Sequence, residues 1–259
     1  MHQLRLFFTA LQFFTRLPIP AWVGFAPEWL NQAARYFPLV GVIVAAISAA
    51  LYVLAVLLLP APVAVVIATA GTIYATGAFH EDGFADMCDG FGGGMTAERV
   101  LEIMKDSRIG AYGAIGTVCM LGLKCTALAS MPPLTVIGAL FAAHVVSRWL
   151  ATALIWRMHY ARAEGKAKPL AQSMRAGEFA IATATTVAVL AIVGASGVVK
   201  VAALGAGVLG AAIATVWLGR LFARRIGGYT GDCLGAVQQV GEVMVYLGVL
   251  ATLGDGALT

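Results

Sequence analysis

Seven stretches of this sequence are apolar over a length that can cross a lipid bilayer. A membrane-spanning α-helix needs about 20 mostly apolar residues, and it satisfies its own backbone hydrogen bonds, as the hydrocarbon interior requires. The candidate spans are residues 36–59, 62–79, 111–131, 134–156, 178–198, 201–221 and 233–253. Only 12% of the residues are charged and the mean hydropathy is +0.87, which excludes a soluble globular domain. We therefore predict an all-α integral membrane protein, in which residues 1–259 form a single domain, a polytopic bundle of about seven transmembrane helices.

The distribution of basic residues predicts which side of the membrane each connection faces, because cytoplasmic connections carry an excess of Lys and Arg. If the N-terminus is cytoplasmic, Lys200 is the one base in an outside connection. The inside connections then contain Arg5, Arg16, Arg35, Arg99, Lys105, Arg108, Arg157, Arg162, Lys166, Lys168, Arg175, Arg220, Arg224 and Arg225. We expect an acidic motif region at 80–110, a basic loop at 157–177 and a glycine-rich loop at 223–232, all cytoplasmic. The bases do not form one run with interleaved aromatic residues, so we expect no nucleic-acid partner.

Residues 1–20 are amphipathic and form no span. Arg5, Thr9, Gln12 and Arg16 recur at helical spacing, and apolar residues occupy most of the positions between them. One interpretation is an interfacial helix that lies on the cytoplasmic leaflet and contacts membrane lipid. The alternative is a helix docked on the bundle.

An acidic stretch, HEDGFADMCDGFGGG at residues 80–94, follows the second span. Asp82, Asp86 and Asp89 are spaced at i, i+4 and i+7, so on a helix they share one face. The opposite face would hold Phe84, Met87 and Phe91. We predict that the helix of the second span continues past the hydrocarbon and carries the three carboxylates toward the cytoplasm.

Three carboxylates on one helix face favour a bound cation, because like charges at this spacing repel one another. Oxygen ligands of this kind suit Mg²⁺, Mn²⁺ or Ca²⁺ and do not suit zinc. The alternative interpretation is a solvated acidic cap on a helix end.

The next segment, TAERVLEIMKDSRIG at residues 96–110, predicts a short amphipathic helix that begins near Thr96 and breaks at Gly110. It brings a mixed polar group close in sequence to the aspartates: Lys105, Asp106, Ser107 and Arg108. A carboxylate beside two cations is a common composition of phosphate sites. The carboxylate could be a further metal ligand, and the two bases could hold phosphate oxygens.

A second glycine-rich turn, RRIGGYTGDCLGA at residues 224–236, precedes the last span. Gly227, Gly228 and Gly231 allow backbone N–H groups to approach a phosphate at the start of a helix. Asp232 lies near that helix start, on the same predicted side of the membrane as the acidic stretch.

Polar residues inside the spans form a third set. Gln239, Glu242 and Tyr246 continue one face of the last span, and a polar stripe in a spanning helix indicates either a functional site or an interhelical hydrogen-bond seam. Lys124 and Arg148 lie within two other spans. Each could extend to an interface or pair with a buried acid, and Arg148 could also face a polar cavity.

These features together predict phosphoryl-type transfer at the cytoplasmic surface, in which metal ions hold a diphosphate and an acceptor attacks it. Three alternatives remain: a secondary transporter or cation channel, a lipid-headgroup phosphotransferase, and a non-catalytic membrane anchor. A transporter would place its ionisable groups near the bilayer midplane and often shows inverted repeats, and we see neither pattern clearly.

Seven motifs occur in a fixed order along the chain. They are FTRLPIP at 14–20, YFPLVG at 36–41, FHEDGFADMCDG at 79–90, RVLEIMKDSRIGAYG at 99–113, VSR at 146–148, HYARAEG at 159–165 and GGYTGDCLGA at 227–236. Together they resemble the cobalamin 5′-phosphate synthase (adenosylcobinamide-GDP ribazoletransferase) family. The resemblance implies a Mg²⁺-dependent enzyme of the bacterial inner membrane that acts late in cobalamin assembly. It would couple adenosylcobinamide-GDP to α-ribazole or its 5′-phosphate and release GMP. Analogy with related membrane transferases also suggests a homodimer.

The resemblance and the residue chemistry together assign roles at the site. The expected ligands of Mg²⁺ are Asp82, Asp86, Asp89 and Asp106. The expected catalytic residues are Asp89, Asp106, Arg108 and Asp232, with Asp89 as the suggested general base. The expected substrate-binding residues are Lys105, Ser107, Gly110, Arg148, Arg162, Gly228, Thr230 and Gly231.

Overall fold

The regular secondary structure is all helical in the part that the computed structural model describes, residues 1–161 and 173–254. The helices are α1 (His2–Phe14), α2 (Pro27–Ala33), α3 (Phe37–Val56), α4 (Ala61–Thr76), α5 (Phe79–Gly93), α6 (Ala97–Ile103), α7 (Ala111–Ala129), α8 (Pro133–Arg157), α9 (Ala176–Ala195), α10 (Val201–Ile226) and α11 (Gly231–Ala251). In those two ranges no sheet forms, and the one pairing of extended residues joins Tyr160 to Tyr229.

Within the described residues, six helical segments are long and apolar enough to cross a membrane: Pro27–Val56, Ala111–Ala129, Pro133–Arg157, Ala176–Ala195, Val201–Ile226 and Gly231–Ala251. The bent pair formed by α4 and α5 supplies a seventh if it is counted as one span. The predicted polytopic helical bundle is therefore confirmed, and most predicted span ends agree with the helix ends to within three residues.

The bundle is organised around α8 and α11. Of the most apolar part of α8, 78% is buried inside the protein, against 17% for α9, so α8 is central and α9 peripheral. Helix α8 packs on α3, α9 and α11, whereas α11 packs on α5, α7, α8 and α10. The helix that begins at the glycine-rich turn therefore packs directly on the acidic helix α5.

The second span does not continue straight into the acidic stretch, and in this respect the prediction is wrong. Helices α4 and α5 meet at an angle of 89°. Gly77 and Ala78 both have left-handed backbone angles, with φ of 65° and 59°. The Ala78 N–H donates to the Ile73 carbonyl (2.8 Å) and the Gly77 N–H donates to the Tyr74 carbonyl (3.2 Å). This pattern is a Schellman motif, which ends α4 and turns the chain into α5.

The N-terminal helix α1 is docked on the bundle, the second of the two interpretations. Its Leu6, Ala10 and Phe14 side chains are buried. Phe14 packs edge-on against Phe37 (ring centroids 4.6 Å apart) and stacks on His80 (5.4 Å). The end of α1 therefore contacts the first turn of the acidic helix.

Candidate functional site

Helix α5 presents the predicted acidic face. Asp82 is exposed, Asp86 is half-buried and Asp89 is buried. Phe84 and Met87 are buried on the other side of the helix, which confirms the predicted division of faces. The acidic face is therefore graded from solvent at Asp82 to the protein interior at Asp89.

Asp89 connects the acidic helix to the start of α7. Its Oδ2 accepts a hydrogen bond from the Gly110 N–H (2.7 Å), and its Oδ1 accepts one from the Gly113 N–H (2.8 Å). A Cβ atom on Gly110 or on Gly113 would lie 2.4 Å from an Asp89 oxygen, so both positions require glycine. A carboxylate at a helix N-terminus also interacts favourably with the helix dipole. To bind a metal or accept a proton as predicted, the Asp89 oxygens would have to do so in addition to these two contacts.

The segment between α6 and α7 is a loop held by an ion pair. Asp106 accepts the Arg108 backbone N–H (3.1 Å) and pairs with the Arg108 guanidinium at 2.7 Å. The Arg108 side chain is the main cause that lowers the pKa of Asp106 to about 2. The short helix was predicted to run to Gly110 but ends at Ile103, because this side-chain-to-backbone contact competes with helical hydrogen bonds. Lys105 and Ser107 are exposed in the same loop.

The glycine-rich turn closes tightly before α11. Gly227 has φ of 74° and ends α10. A Cβ atom on Gly228 would lie 2.2 Å from the His159 carbonyl oxygen, so Gly228 permits a close approach of two backbone segments. Thr230 caps α11, since its Oγ1 accepts the Cys233 N–H at 3.3 Å. The first turn of α11, which begins at Gly231, is the positive end of the helix dipole and is a favourable position for an anion.

The glycine-rich turn is also tied to the start of the basic loop. The Tyr229 N–H donates to the His159 carbonyl (3.0 Å), and the Ala161 N–H donates to the Tyr229 carbonyl (2.8 Å). Arg162, the predicted substrate contact that follows Ala161, lies outside the described residues.

Asp232 lies beside the acidic helix because α5 and α11 cross at glycines. A Cβ atom on Gly83 would be 3.0 Å from the Asp232 Cα, and a Cβ on Gly235 would be 3.1 Å from the His80 carbonyl oxygen. This close crossing brings Asp232 against the residue that follows Asp82. The first and third predicted motifs thus meet, although they are far apart in sequence.

The carboxylates predicted to bind Mg²⁺ do not form one cluster. In residues 1–161 and 173–254, no three His, Cys, Asp or Glu side chains are grouped closely enough to hold a metal ion. Asp89 contacts α7 and Asp106 contacts Arg108, whereas Asp82 and Asp86 lie one helical turn apart on the accessible part of the face. Mg²⁺ is commonly bound by one or two carboxylates together with waters and substrate phosphates. Asp82 and Asp86 fit that chemistry.

A buried ionic network centred on Glu242 lies behind the acidic helix. The Glu242 Oε2 is 2.8 Å from Lys124 Nζ, and its Oε1 is 2.5 Å from His144 Nδ1 and 3.5 Å from Arg148 Nη1. The Gln238 amide also donates to Glu242. The Glu242 side chain is 1% exposed. Lys124 and Arg148 therefore pair with a buried acid, one of the outcomes predicted for them, and Arg148 lies inside this network rather than on the exposed acidic face.

The network reaches α5 through an amide. The Lys124 Nζ donates to the Gln239 Oε1 (2.8 Å), and the Gln239 Nε2 donates to the Glu81 Oε1 (2.9 Å). The polar stripe of α11 is thus an interhelical hydrogen-bond seam that joins α5, α7, α8 and α11. Sequence reasoning did not identify His144, Gln238 or Glu81 as members. The sequence signal for this network was the presence of opposite charges inside predicted spans, Lys124 and Arg148 against Glu242, because a charged side chain in the membrane interior needs a partner.

Arg225 holds the far end of the acidic helix. Its Nη2 donates to the Gly94 carbonyl at 2.5 Å, and its guanidinium lies over the Phe91 ring at 5.7 Å. A cation at a helix C-terminus binds the free carbonyl groups of the last turn and interacts favourably with the negative end of the helix dipole. This residue was predicted only as one of the inside bases.

Comparison with known proteins agrees with this arrangement of motifs. The family described as Cobalamin-5-phosphate synthase matches residues 6–250. Similar proteins named adenosylcobinamide-GDP ribazoletransferase occur in Leptothrix cholodnii (47% identity over 97% of both chains), Ralstonia pickettii (47%, 95% of both) and Shewanella frigidimarina (44%, 97% of this chain and 96% of the relative). No solved structure matches the chain. With the family match spanning nearly all of the sequence, the chain belongs to the cobalamin-5-phosphate synthase family.

Proposed function

We propose that this protein is an adenosylcobinamide-GDP ribazoletransferase that joins the GDP-activated corrinoid to α-ribazole or its 5′-phosphate and releases GMP. Full-length similarity to relatives of that name carries the proposal. The acidic face of α5, the Asp106–Arg108 loop and the glycine-rich turn of α11 support it, because the protein fold brings together three segments with the chemistry of a diphosphate site. Family membership argues against the transporter and anchor alternatives.

In the proposed site, Asp82 and Asp86 hold Mg²⁺. When bound, Mg²⁺ would neutralise the diphosphate oxygens and the charge that develops on them. Arg108 and Lys105, exposed in the adjacent loop, contact the phosphates. The positive end of the α11 helix dipole, at Gly231, faces a phosphate oxygen, and Asp232 lies beside it.

The reaction is a substitution at phosphorus. The ribazole oxygen attacks the corrinoid-side phosphorus, the bond from that phosphorus to the bridging oxygen breaks, and GMP leaves with this oxygen. The proton of the attacking hydroxyl passes to a carboxylate of the acidic face. Asp89 remains the predicted acceptor, although it already binds two N–H groups.

The proposed orientation places this site in the cytoplasm of a bacterial cell. The ends of α8 and α10 that lead to the site carry Arg157, Arg224 and Arg225, whereas the opposite turn, before α10, carries Lys200. The positive-inside rule supports this assignment. A reporter that is active only in the periplasm, fused after α11, should be active, and a silent fusion with a well-expressed protein would reverse the orientation.

The proposed function is tested by GMP release from purified protein in detergent with adenosylcobinamide-GDP, α-ribazole 5′-phosphate and Mg²⁺. We expect release that requires both substrates and stops with EDTA. Asp82→Asn and Asp86→Asn should each lower the rate by at least about 100-fold, because even the outer-shell partners of a metal site contribute about 10–100-fold. Glu28→Gln, a change at an exposed acid of α2, is the matched control. Activity that survives in both aspartate variants would refute the metal assignment, and no release by folded protein would favour a lipid substrate.

A further inference from the structure

Glu81 and Asp82 are consecutive residues of α5 with opposite surroundings. Asp82 is exposed on the acidic face. The Glu81 Oε1 accepts the Gln239 amide at 2.9 Å, and its Oε2 is buried with no hydrogen-bond partner among the described residues. Consecutive helical residues point about 100° apart, so Glu81 projects into the interior while Asp82 projects toward solvent.

A second buried group faces the same space as Glu81. Arg148 is 2% exposed, and its Nε also lacks a partner among the described residues. Both side chains line one small cavity, together with Thr76, His80 and Glu242. One wall thus offers an N–H donor and the other a carboxylate acceptor. A single water molecule needs only about 10–15 Å³ of such space, and it can accept from Arg148 and donate to Glu81.

We propose that Glu81 is a positioning residue that sets the rotation of α5 about its axis, and thereby the placement of the metal-binding Asp82 and Asp86. Gln239 holds one carboxylate oxygen, and a water-mediated contact to Arg148 holds the other. This inference rests on the proposed function, because the placement of Asp82 and Asp86 by Glu81 affects activity only if the acidic face binds a cation.

The geometry explains why such a link matters. Side chains lie about 5–6 Å from a helix axis, so a rotation of about 20° moves a carboxylate by about 2 Å. Functional constellations tolerate displacements of only about 0.5 Å. The break at Gly77 and Ala78 separates α5 from α4, so the rigidity of the second span does not by itself fix this rotation. The contact at Glu81 can supply the constraint.

The test measures Mn²⁺ binding by the loss of the free Mn²⁺ signal in electron paramagnetic resonance, with purified full-length protein in detergent. Glu81→Gln should weaken Mn²⁺ binding by about 10-fold, the scale of an outer-shell change, and should lower kcat at saturating Mn²⁺ with little effect on the KM of either substrate. Glu28→Gln should match the wild type. A purely structural role would lower the yield or the melting temperature and leave the Mn²⁺ affinity of the folded fraction unchanged, which would overturn the proposal.

A reciprocal exchange keeps the net charge of the wild type and reverses the direction of the hydrogen bond. In Glu81→Gln combined with Gln239→Glu, an amide at position 81 donates to a carboxylate at position 239, and Lys124 keeps an acceptor. We expect Mn²⁺ affinity to return to within about 3-fold of wild type. If the folded double variant binds Mn²⁺ as weakly as Glu81→Gln alone, the hydrogen bond between positions 81 and 239 does not control the metal site and the positioning role is wrong. Unchanged Mn²⁺ binding in Asp82→Asn would instead refute the metal site of the proposed function.

Discussion

Replacing Glu242 by glutamine should test the buried network most directly. The change keeps the size of the side chain and removes one negative charge. Lys124 and Arg148 are then formally two buried cations opposite the single carboxylate of Glu81, whereas in the wild type two cations face two carboxylates. The variant therefore leaves an uncompensated charge inside the bundle.

The cost can be estimated from the distances. Lys124 Nζ lies 2.8 Å from the Glu242 carboxylate, and at an effective dielectric constant of about 20, Coulomb's law gives about 6 kcal/mol of attraction at that separation. The net loss is smaller, because the amide oxygen of glutamine still accepts a hydrogen bond. Breaking a buried ion pair by removing one partner costs about 3–5 kcal/mol, and for a chain of about this length such a loss lowers the melting temperature by about 10 °C.

The assay is thermal unfolding in detergent, followed by intrinsic fluorescence. Glu102→Gln is the matched control, because Glu102 pairs with Arg99 at 2.7 Å but both side chains are more than half exposed. Exposed pairs contribute about 0–1 kcal/mol, so this variant should melt near the wild-type temperature. Glu242→Gln combined with Lys124→Met removes one charge of each sign and should recover at least about half of the loss. A melting temperature for Glu242→Gln within about 2 °C of Glu102→Gln would refute the estimate.

The remaining predictions concern the two motif contacts of the site. Gly113→Ala should lower activity by about 10-fold or more, because its Cβ would lie 2.4 Å from an Asp89 oxygen; Gly122→Ala, on the same helix with nothing within 4 Å, should not. Equal rates for the two alanine variants would contradict the assigned contact. Because Arg108 holds the pKa of Asp106 at about 2, below the usual range of a carboxyl, the pair stays ionised at neutral pH and is lost only as the pH falls toward 2. Asp106→Asn should therefore reduce GMP release by the same factor at pH 6 and pH 9, and a factor that changes between them would show that another group controls the loop.

Local patterns were sufficient for part of the site. The spacing of Asp82, Asp86 and Asp89 predicted one helix face, and this was correct because the periodicity of an α-helix depends on neighbouring residues alone. The cap at Thr96 and the turn at Gly227 are local in the same way. The bend before α5 was missed although Gly77 marks it, because hydropathy over a window of about 20 residues does not register a single left-handed glycine.

By itself, the sequence determined the membrane-spanning character, the acidic face and the family, since apolar length, helical period and motif order are properties of the linear chain. Only the tertiary structure decided which partners the charged groups have. Lys124 and Glu242 are 118 residues apart in sequence, and helix α6 lies between Asp89 and Gly113 in sequence although the two residues are hydrogen-bonded. Such pairs depend on how helices cross, and crossings are set by the close packing of glycines such as Gly83 on neighbouring helices. A charge inside the bundle requires a partner, and the helix crossings determine which partner it finds.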